Sequence, residues 1–204
     1  MDLEKALNTR RSIRKYTDKK ISKALVEKLI DAARQAPSSH NLQPWNFIVI
    51  NGKTKEKIIK LLKKASVNKK EMLLMRMILN PAIEIIQNAP LVILVFSSNK
   101  LTEKFSAFTK HFGKSSGEWK KIDEVVNKAN IQSISCAVQN MMLKAHSMGL
   151  GGVWLGITMT QQTAIKKYFK TKNDFQGIVT LGFPAENPKK QKRRKTSEIL
   201  SYYD

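Results

Sequence analysis

The stretch from Arg10 to Trp45 holds two clusters whose residue types can do chemistry. Arg10-Arg11-Ser12-Ile13-Arg14 places three guanidinium groups and a hydroxyl within five residues. Guanidinium forks suit phosphate oxygens through paired, charge-assisted hydrogen bonds. Standing alone, the cluster reads better as a basic helix end with solvated arginines. Pro37-Ser38-Ser39-His40-Asn41, followed by Gln43-Pro44-Trp45, is an irregular turn with polar side chains and free backbone groups. It can lie against a planar ring while Ser39 or Asn41 bonds the ring edge, or it can be only the turn between a helix and a strand. Trp45, at a strand start, reads as packing. Two further regions lie downstream. One is Gly149-Leu150-Gly151-Gly152-Val153-Trp154-Leu155-Gly156-Ile157; the other is Leu181-Gly182-Phe183-Pro184-Ala185-Glu186-Asn187-Pro188, which leads into Lys189-Lys190-Gln191-Lys192-Arg193-Arg194-Lys195.

The elements that position these clusters follow from pattern. Ser22 caps a helix in which Val26, Leu29, Ile30 and Ala33 recur at helical spacing, and Pro37 closes it. Asn46 to Ile50 reads as a strand ending at the turn signal Asn51-Gly52. Lys55 to Ala65 is a basic helix and Glu71 to Leu79 a Met-rich one; Asn80-Pro81 restarts a helix that Pro90 ends. Leu91 to Phe96 is a fully buried strand. From Ser97 to Asp123 the pattern dissolves, which suits a mobile cover. Asn130 to Leu143 is a helix without a single charge, and burial against a second subunit accounts for that in so short a chain. Val153 to Thr158 reads as a strand, Thr160 to about Phe169 as a helix and Gly177 to Gly182 as the last strand. Strands separated by helices favour α+β or α/β, with helices packed around one sheet.

Composition sets the outer bounds. With 204 residues, 42% of them hydrophobic, the chain makes one sizeable core, so residues 1–204 are expected to form a single domain. The one cysteine, Cys136, excludes an internal disulfide framework and any multi-cysteine metal site, and points to the cytoplasm. The first twenty residues carry charges throughout, and the longest apolar run is far short of a bilayer span, so neither a secretory signal nor a membrane anchor is expected. The 37 Lys and Arg against 16 Asp and Glu give a formal net charge of +21, which suits anionic ligands, polyanions or an unusual solvent environment. A basic nucleic-acid-binding module is one reading of the 189–195 run. Against it, the basic excess is spread widely, and there is no zinc spacing, RNP-type aromatic motif or visible recognition helix.

In their order along the chain, the four regions resemble the nitroreductase family of flavin mononucleotide (FMN) enzymes, while 53–123 matches only loosely. The resemblance implies an α+β fold with a central, mostly antiparallel sheet flanked by helices, built as an intertwined homodimer with FMN at the subunit interface. It assigns Arg10 and Arg14 to the phosphate and ribityl region of FMN, with Arg11 and Ser12 reaching the pyrimidine edge or the tail. It assigns Pro37, Ser38, Ser39 and Asn41 to the flavin of the partner subunit and gives His40 no catalytic role. Trp154, Leu155, Gly156 and Ile157 match the stretch whose backbone amides lie near flavin N5 and O4. Here Ile157 replaces the second glycine of the family's closing pair, and Gly156 stands where some relatives carry a glutamate. Lys192 and Arg194 match the family's phosphate-holding Lys-x-Arg, whereas Gly182 and Pro184 read as turn geometry.

The same resemblance implies that NAD(P)H gives hydride to flavin N5 and leaves, after which an acceptor such as a nitroaromatic or quinone enters the same face in a ping-pong sequence. The flavin carries that chemistry, which fits the lack of a catalytic triad, paired acids or a metal cluster in the sequence. Phe105, Phe108, Phe112 and Trp119, within the 97–123 cover, are candidate acceptor contacts, or else anchors of that cover. A dehalogenating or ring-cleaving flavoenzyme of the same family is the nearest alternative.

Overall fold

Six apolar residues in a row, Leu91 to Phe96, cannot face water on either side, and the fold is built around them. A computed structural model describes residues 1–65, 73–98 and 118–203. Its helices are α1 (Leu3–Thr9), α2 (Lys23–Arg34), α3 (Gly52–Ala65), α4 (Leu73–Asn88), α5 (Glu118–Ser147) and α6 (Gln162–Phe169); its strands are β1 (Trp45–Ile50), β2 (Leu91–Ser97), β3 (Gly151–Leu155) and β4 (Asp174–Gly182). The strands form one sheet in the order β1-β2-β4-β3, with every neighbouring pair antiparallel. The fold is therefore α+β, as the four sequence regions implied.

Strand β2 lies in the middle of the sheet and is buried along its whole length. Alternation along it feeds two cores. Val92, Leu94 and Phe96 pack with Ile58 and Leu62 of α3, Leu79, Ile83 and Ile86 of α4 and Ile165 of α6. Leu91, Ile93 and Val95 pack on the other face with Leu29 and Ala33 of α2 and with Ile134, Val138 and Met141 of α5. The sheet is thus sandwiched between α3, α4 and α6 on one side and α2 and α5 on the other. Ser22 caps α2 through its side chain, which accepts from the Leu25 amide at 3.3 Å.

The structure departs from the sequence reading in four places. Helix α4 runs through Pro81 without restarting at Asn80. Pro81 lies on the water-facing side near Met77, which is 66% exposed, so the carbonyl freed by the missing N–H is open to solvent. The strand expected over 153–158 stops at Leu155, where pairing ends opposite Ile178. There Gly177 adopts φ +107°, and a side chain on it would press the Leu155 carbonyl and Trp154 Nε1, both 3.0 Å from its Cβ position. Buried Thr158 then turns its hydroxyl onto the Leu155 carbonyl at 2.7 Å, and residues 156–161 wind into a 3-10 turn. Both ends of the irregular stretch expected over 97–123 are regular, because Ser97 completes β2 and α5 already begins at Glu118; residues 99–117 lie outside the described residues. Helix α1 had no counterpart in the sequence reading; it is seven residues long and starts at Asp2, whose carboxylate accepts from the Lys5 amide at 2.8 Å.

The end of β4 tests how tightly the site scaffold is packed. A methyl group on Gly182 would lie 2.6 Å from Tyr16 Cδ1 and 2.9 Å from Pro90 Cδ, whereas one on Gly156 would meet only Met159 Cε at 3.7 Å. Gly182→Ala is predicted to destabilise the protein by roughly 1–3 kcal/mol in urea unfolding, and Gly156→Ala to stay within about 0.5 kcal/mol of the parent.

Candidate functional site

The first arginine cluster is strapped to the β3–β4 edge of the sheet. After α1 the chain runs beside β3, where the Ile13 amide donates to the Gly152 carbonyl at 3.0 Å. It then meets the segment that follows β4: the Thr17 amide donates to Phe183 O at 2.9 Å, and the Ala185 amide to Lys15 O at 3.0 Å. Glu186 Oε1 accepts from the amides of Arg14 at 2.5 Å and Lys15 at 3.2 Å. That carboxylate fixes backbone. Sequence reasoning gave Glu186 no role, yet it helps bring the basic run over the arginines.

Two adjoining cavities flank Arg11. One, of about 340 Å³, is lined by Arg10, Arg11, Ser12, Arg14, Lys189 and Arg193 together with Pro188 and Gln191. The other, of about 530 Å³, is lined by Leu7, Asn8, Arg11, Lys190, Gln191, Lys192 and Arg193. Arg11 stands between them, its Nη1 donating to Asn8 O at 2.9 Å and Arg10 O at 2.7 Å. Among the described residues no carboxylate lines either cavity. Burial, then Arg193 and Arg11, push the Arg10 pKa down, so these cations act on one another.

The residues of the basic run are distributed between the two cavities. Lys192 lines the cavity on the far side of Arg11, Arg194 lines neither, and Lys189 and Arg193 stand beside Arg14's cavity. Residues 187–195 have no regular hydrogen-bonded structure. Lys189 lines only the first cavity, Lys190 and Lys192 only the second, and Gln191 and Arg193 line both. Only a single charge-pair motif was visible in the sequence; the two cavities share the run between them.

His146, near the end of α5, is a further neighbour that sequence reasoning missed. Thr9 Oγ1 donates to Lys5 O at 2.6 Å and lies 2.8 Å from His146 Nε2. With the hydroxyl proton committed to Lys5, the ring donates through Nε2. Burial first, then Arg10 and Arg11, lower the His146 pKa below its ordinary 6.5.

The second cluster lies at another corner of the sheet. The Ser39 amide donates to Ser133 Oγ on α5 at 3.3 Å, the Gln43 amide to Ser38 Oγ at 3.0 Å, and Gln43 Nε2 to Asn41 Oδ1 at 3.2 Å. His40, Asn41 and Gln43 have φ of +50°, +51° and +48°. Left-handed backbone at non-glycine residues costs on the order of 1 kcal/mol each and concentrates where a loop is shaped for a ligand. Pro37, His40 and Asn41 are exposed, whereas Trp45 packs against the α2–α5 core as expected.

Helix α5 measures the separation. It meets Thr9 through His146 and Ser39 through Ser133. At about 1.5 Å of rise per residue, those two anchors lie roughly 20 Å apart along the helix. The sheet gives the same answer: β1 and β3 are its opposite edges, the loop enters at the Ser97 and Asp174 end, and Ser12 pairs at the Gly182 end. Within one chain the arginines and the loop do not converge.

At the end of β3, Leu155 is buried in one core, and Trp154 packs toward the other with Nε1 donating to Gln176 O at 3.0 Å. Gly156 and Ile157 are half-buried in the 3-10 turn. Phe105, Phe108 and Phe112 lie outside the described residues, and Trp119 is in the first turn of α5. Among the described residues no cluster of His, Cys, Asp or Glu is arranged to hold a metal ion, and no helix is long and apolar enough to cross a membrane.

Known proteins are similar to this chain over most of its length. A protein of Methanothermobacter thermautotrophicus, provisionally named NADH dehydrogenase/NAD(P)H nitroreductase, is 32% identical over 193 residues, covering 92% of this chain and 80% of its own. The crystal structure of a provisionally named nitroreductase from Desulfovibrio desulfuricans, in complex with FMN, superposes with a TM-score of 0.71 at 26% identity over 100% of this chain and 98% of that one. A BluB-like flavoprotein from Clostridium difficile shares the fold with a TM-score of 0.81 at 23% identity, both chains being covered completely. The sequence profile of the Nitroreductase family matches residues 7–183. The chain belongs to the nitroreductase family.

Proposed function

We propose that the protein is an FMN-dependent NAD(P)H oxidoreductase and that each flavin is held between two copies of the chain. The observation that carries the split site is the separation of the two clusters along α5. The residues around Arg10 suit the phosphate of FMN: a cavity rimmed by guanidinium groups, an ammonium and a hydroxyl, with no carboxylate in its lining among the described residues. Relatives support the chemistry, since one is named for NAD(P)H nitroreductase activity and another is solved with FMN.

When bound, FMN supplies hydride transfer between the nicotinamide donor and an acceptor such as a nitroaromatic or quinone. The chain's part is to hold and orient it. Arg10, Ser12 and Arg14, with Arg193 and Lys189 across the cavity, hold the phosphate and the ribityl end. Arg11, which lines both cavities, adds a further guanidinium, while Lys192 and Arg194 of the same basic run add to the positive field. The turn after Trp154 and Leu155 presents the Gly156 and Ile157 backbone toward the ring. Pro37, Ser38, Ser39 and Asn41 of the second copy close the other side.

Several exposed surfaces suit a second copy. Helix α5 buries Ile134, Val138 and Met141 within its own chain but leaves Ile131, at 48% exposure, and Cys136 outside on a stretch without charge. The segment after β4 carries a 3-10 turn at Thr196–Glu198 and leaves Ile199, Leu200, Tyr202 and Tyr203 exposed, which suits an intertwined dimer.

Purified protein is predicted to be yellow, to bleach when NADPH or NADH is added without oxygen, and to have the native mass of a dimer. Arg10→Ala is predicted to weaken FMN binding about tenfold or more, read by flavin fluorescence, as loss of a charge-assisted phosphate contact requires; unchanged affinity would contradict its place in the site. His146 offers a second readout. Its depressed pKa makes the unfolded chain the stronger proton binder, so its contribution to stability is complete above about pH 6.5 and falls as the pH drops below that value. Anions bound at Arg10 and Arg11 oppose the charges that hold the pKa down. NMR titration is therefore expected to show the His146 pKa rising when inorganic phosphate is added; a fall would count against the site.

A further inference from the structure

The cavity on the far side of Arg11 is larger than the one assigned to the FMN phosphate, about 530 Å³ against about 340 Å³. Arg11, Lys190, Lys192 and Arg193 reach into it, and Leu7, 55% exposed, forms an apolar wall beside them. The two cavities together gather Arg10, Arg11, Arg14, Lys189, Lys190, Lys192 and Arg193. One phosphomonoester brings only about two negative charges. Seven cations exceed what FMN alone can neutralise, and Arg10 already feels the repulsion of Arg11 and Arg193. A second dianion placed on Lys190 and Lys192 would relieve it.

We propose that this cavity is a second phosphomonoester site, which takes the 2′-phosphate of NADPH and makes NADPH the preferred donor over NADH. The inference rests on the NAD(P)H oxidoreductase reading. The two donors share a pyrophosphate and differ only in that 2′-phosphate, so a cluster of cations selects between them through this one group. A phosphate held by Arg11 and Arg193 gains paired guanidinium hydrogen bonds, and Lys190 and Lys192 add point charge. The apolar face of Leu7 gives the attached adenosine a surface to lie on.

The test compares adenosine 2′,5′-bisphosphate with 5′-AMP and inorganic phosphate by calorimetry on the flavin-loaded protein, alongside kcat/KM for NADPH and NADH. The bisphosphate is expected to bind about tenfold more tightly than 5′-AMP or inorganic phosphate, NADPH to be favoured by a similar factor, and Lys190→Glu to abolish both preferences. Equal binding of the three probes, or preferences that survive Lys190→Glu, would overturn the assignment. Binding of inorganic phosphate as tight as that of the bisphosphate would make the cavity a general anion site and would equally overturn it. The underlying reading fails differently: flavin that neither nucleotide reduces defeats the donor chemistry, while the calorimetric comparison still decides what the cavity binds.

Discussion

Strand order decides which side chains of this chain can share a ligand. With β1 and β3 on opposite edges of a four-stranded sheet, every residue tied to β3 is kept from every residue that leads into β1. Three strand spacings put about 14 Å between those edges before any displacement along the strands is counted. The edges are also used at opposite ends, since Ser12 pairs beside Gly152 and the Pro37–Asn41 loop enters at Trp45. Helix α5 is the rigid member that maintains this, because it receives Thr9 at His146 and Ser39 at Ser133. In the proposed reading, a flavin held by both clusters finds the second on another chain.

Charge is the second constraint. A formal net charge of +21 disfavours a compact chain, and the arginine cavity concentrates part of it where Arg10 is depressed by burial and by its neighbours. Among the described residues the nearby carboxylate forms no ion pair with those guanidinium groups; Glu186 accepts from the Arg14 and Lys15 amides instead. It gives up pairing to fix the backbone, leaving the cations available to an anionic ligand. The same logic separates the sites' two kinds of strain: electrostatic at the arginines, and torsional at His40, Asn41 and Gln43. In the proposed account a bound flavin relieves the first and is shaped by the second.

Much of the fold was legible because its signals are local. Ser22 as a cap, the unbroken apolar run of β2 and the uncharged length of α5 each follow from side-chain type and spacing. The misreadings came where a distant partner decides. Thr158 alternates like a strand residue, yet Gly177 across the sheet ends the pairing and turns the chain. Pro81 looks like a helix start, but its place on the solvent side lets α4 pass through it. At the site, Arg10 through Arg14 were visible as an anion grip, and the left-handed residues of the second loop lie in the segment that its polar composition marked. The division of the basic run was not visible, since which of Lys189 to Lys195 faces Arg10 depends on how Glu186 seats the segment. His146 carried no motif at all; only the return of α5 to Thr9 makes it a neighbour.

The claim that one flavin site needs two chains can be tested by mixing defects. Arg10→Ala in one tagged chain and Asn41→Ala in a differently tagged chain each impair both sites of their homodimers. In the isolated heterodimer a split site puts both defects into one site and leaves the other intact, so one tightly held FMN per heterodimer is predicted, with NADPH-dependent turnover restored above either homodimer. Flavin content and turnover no better than the average of the two parents would show that Arg10 and Asn41 act on the flavin of the same chain, and would contradict the account.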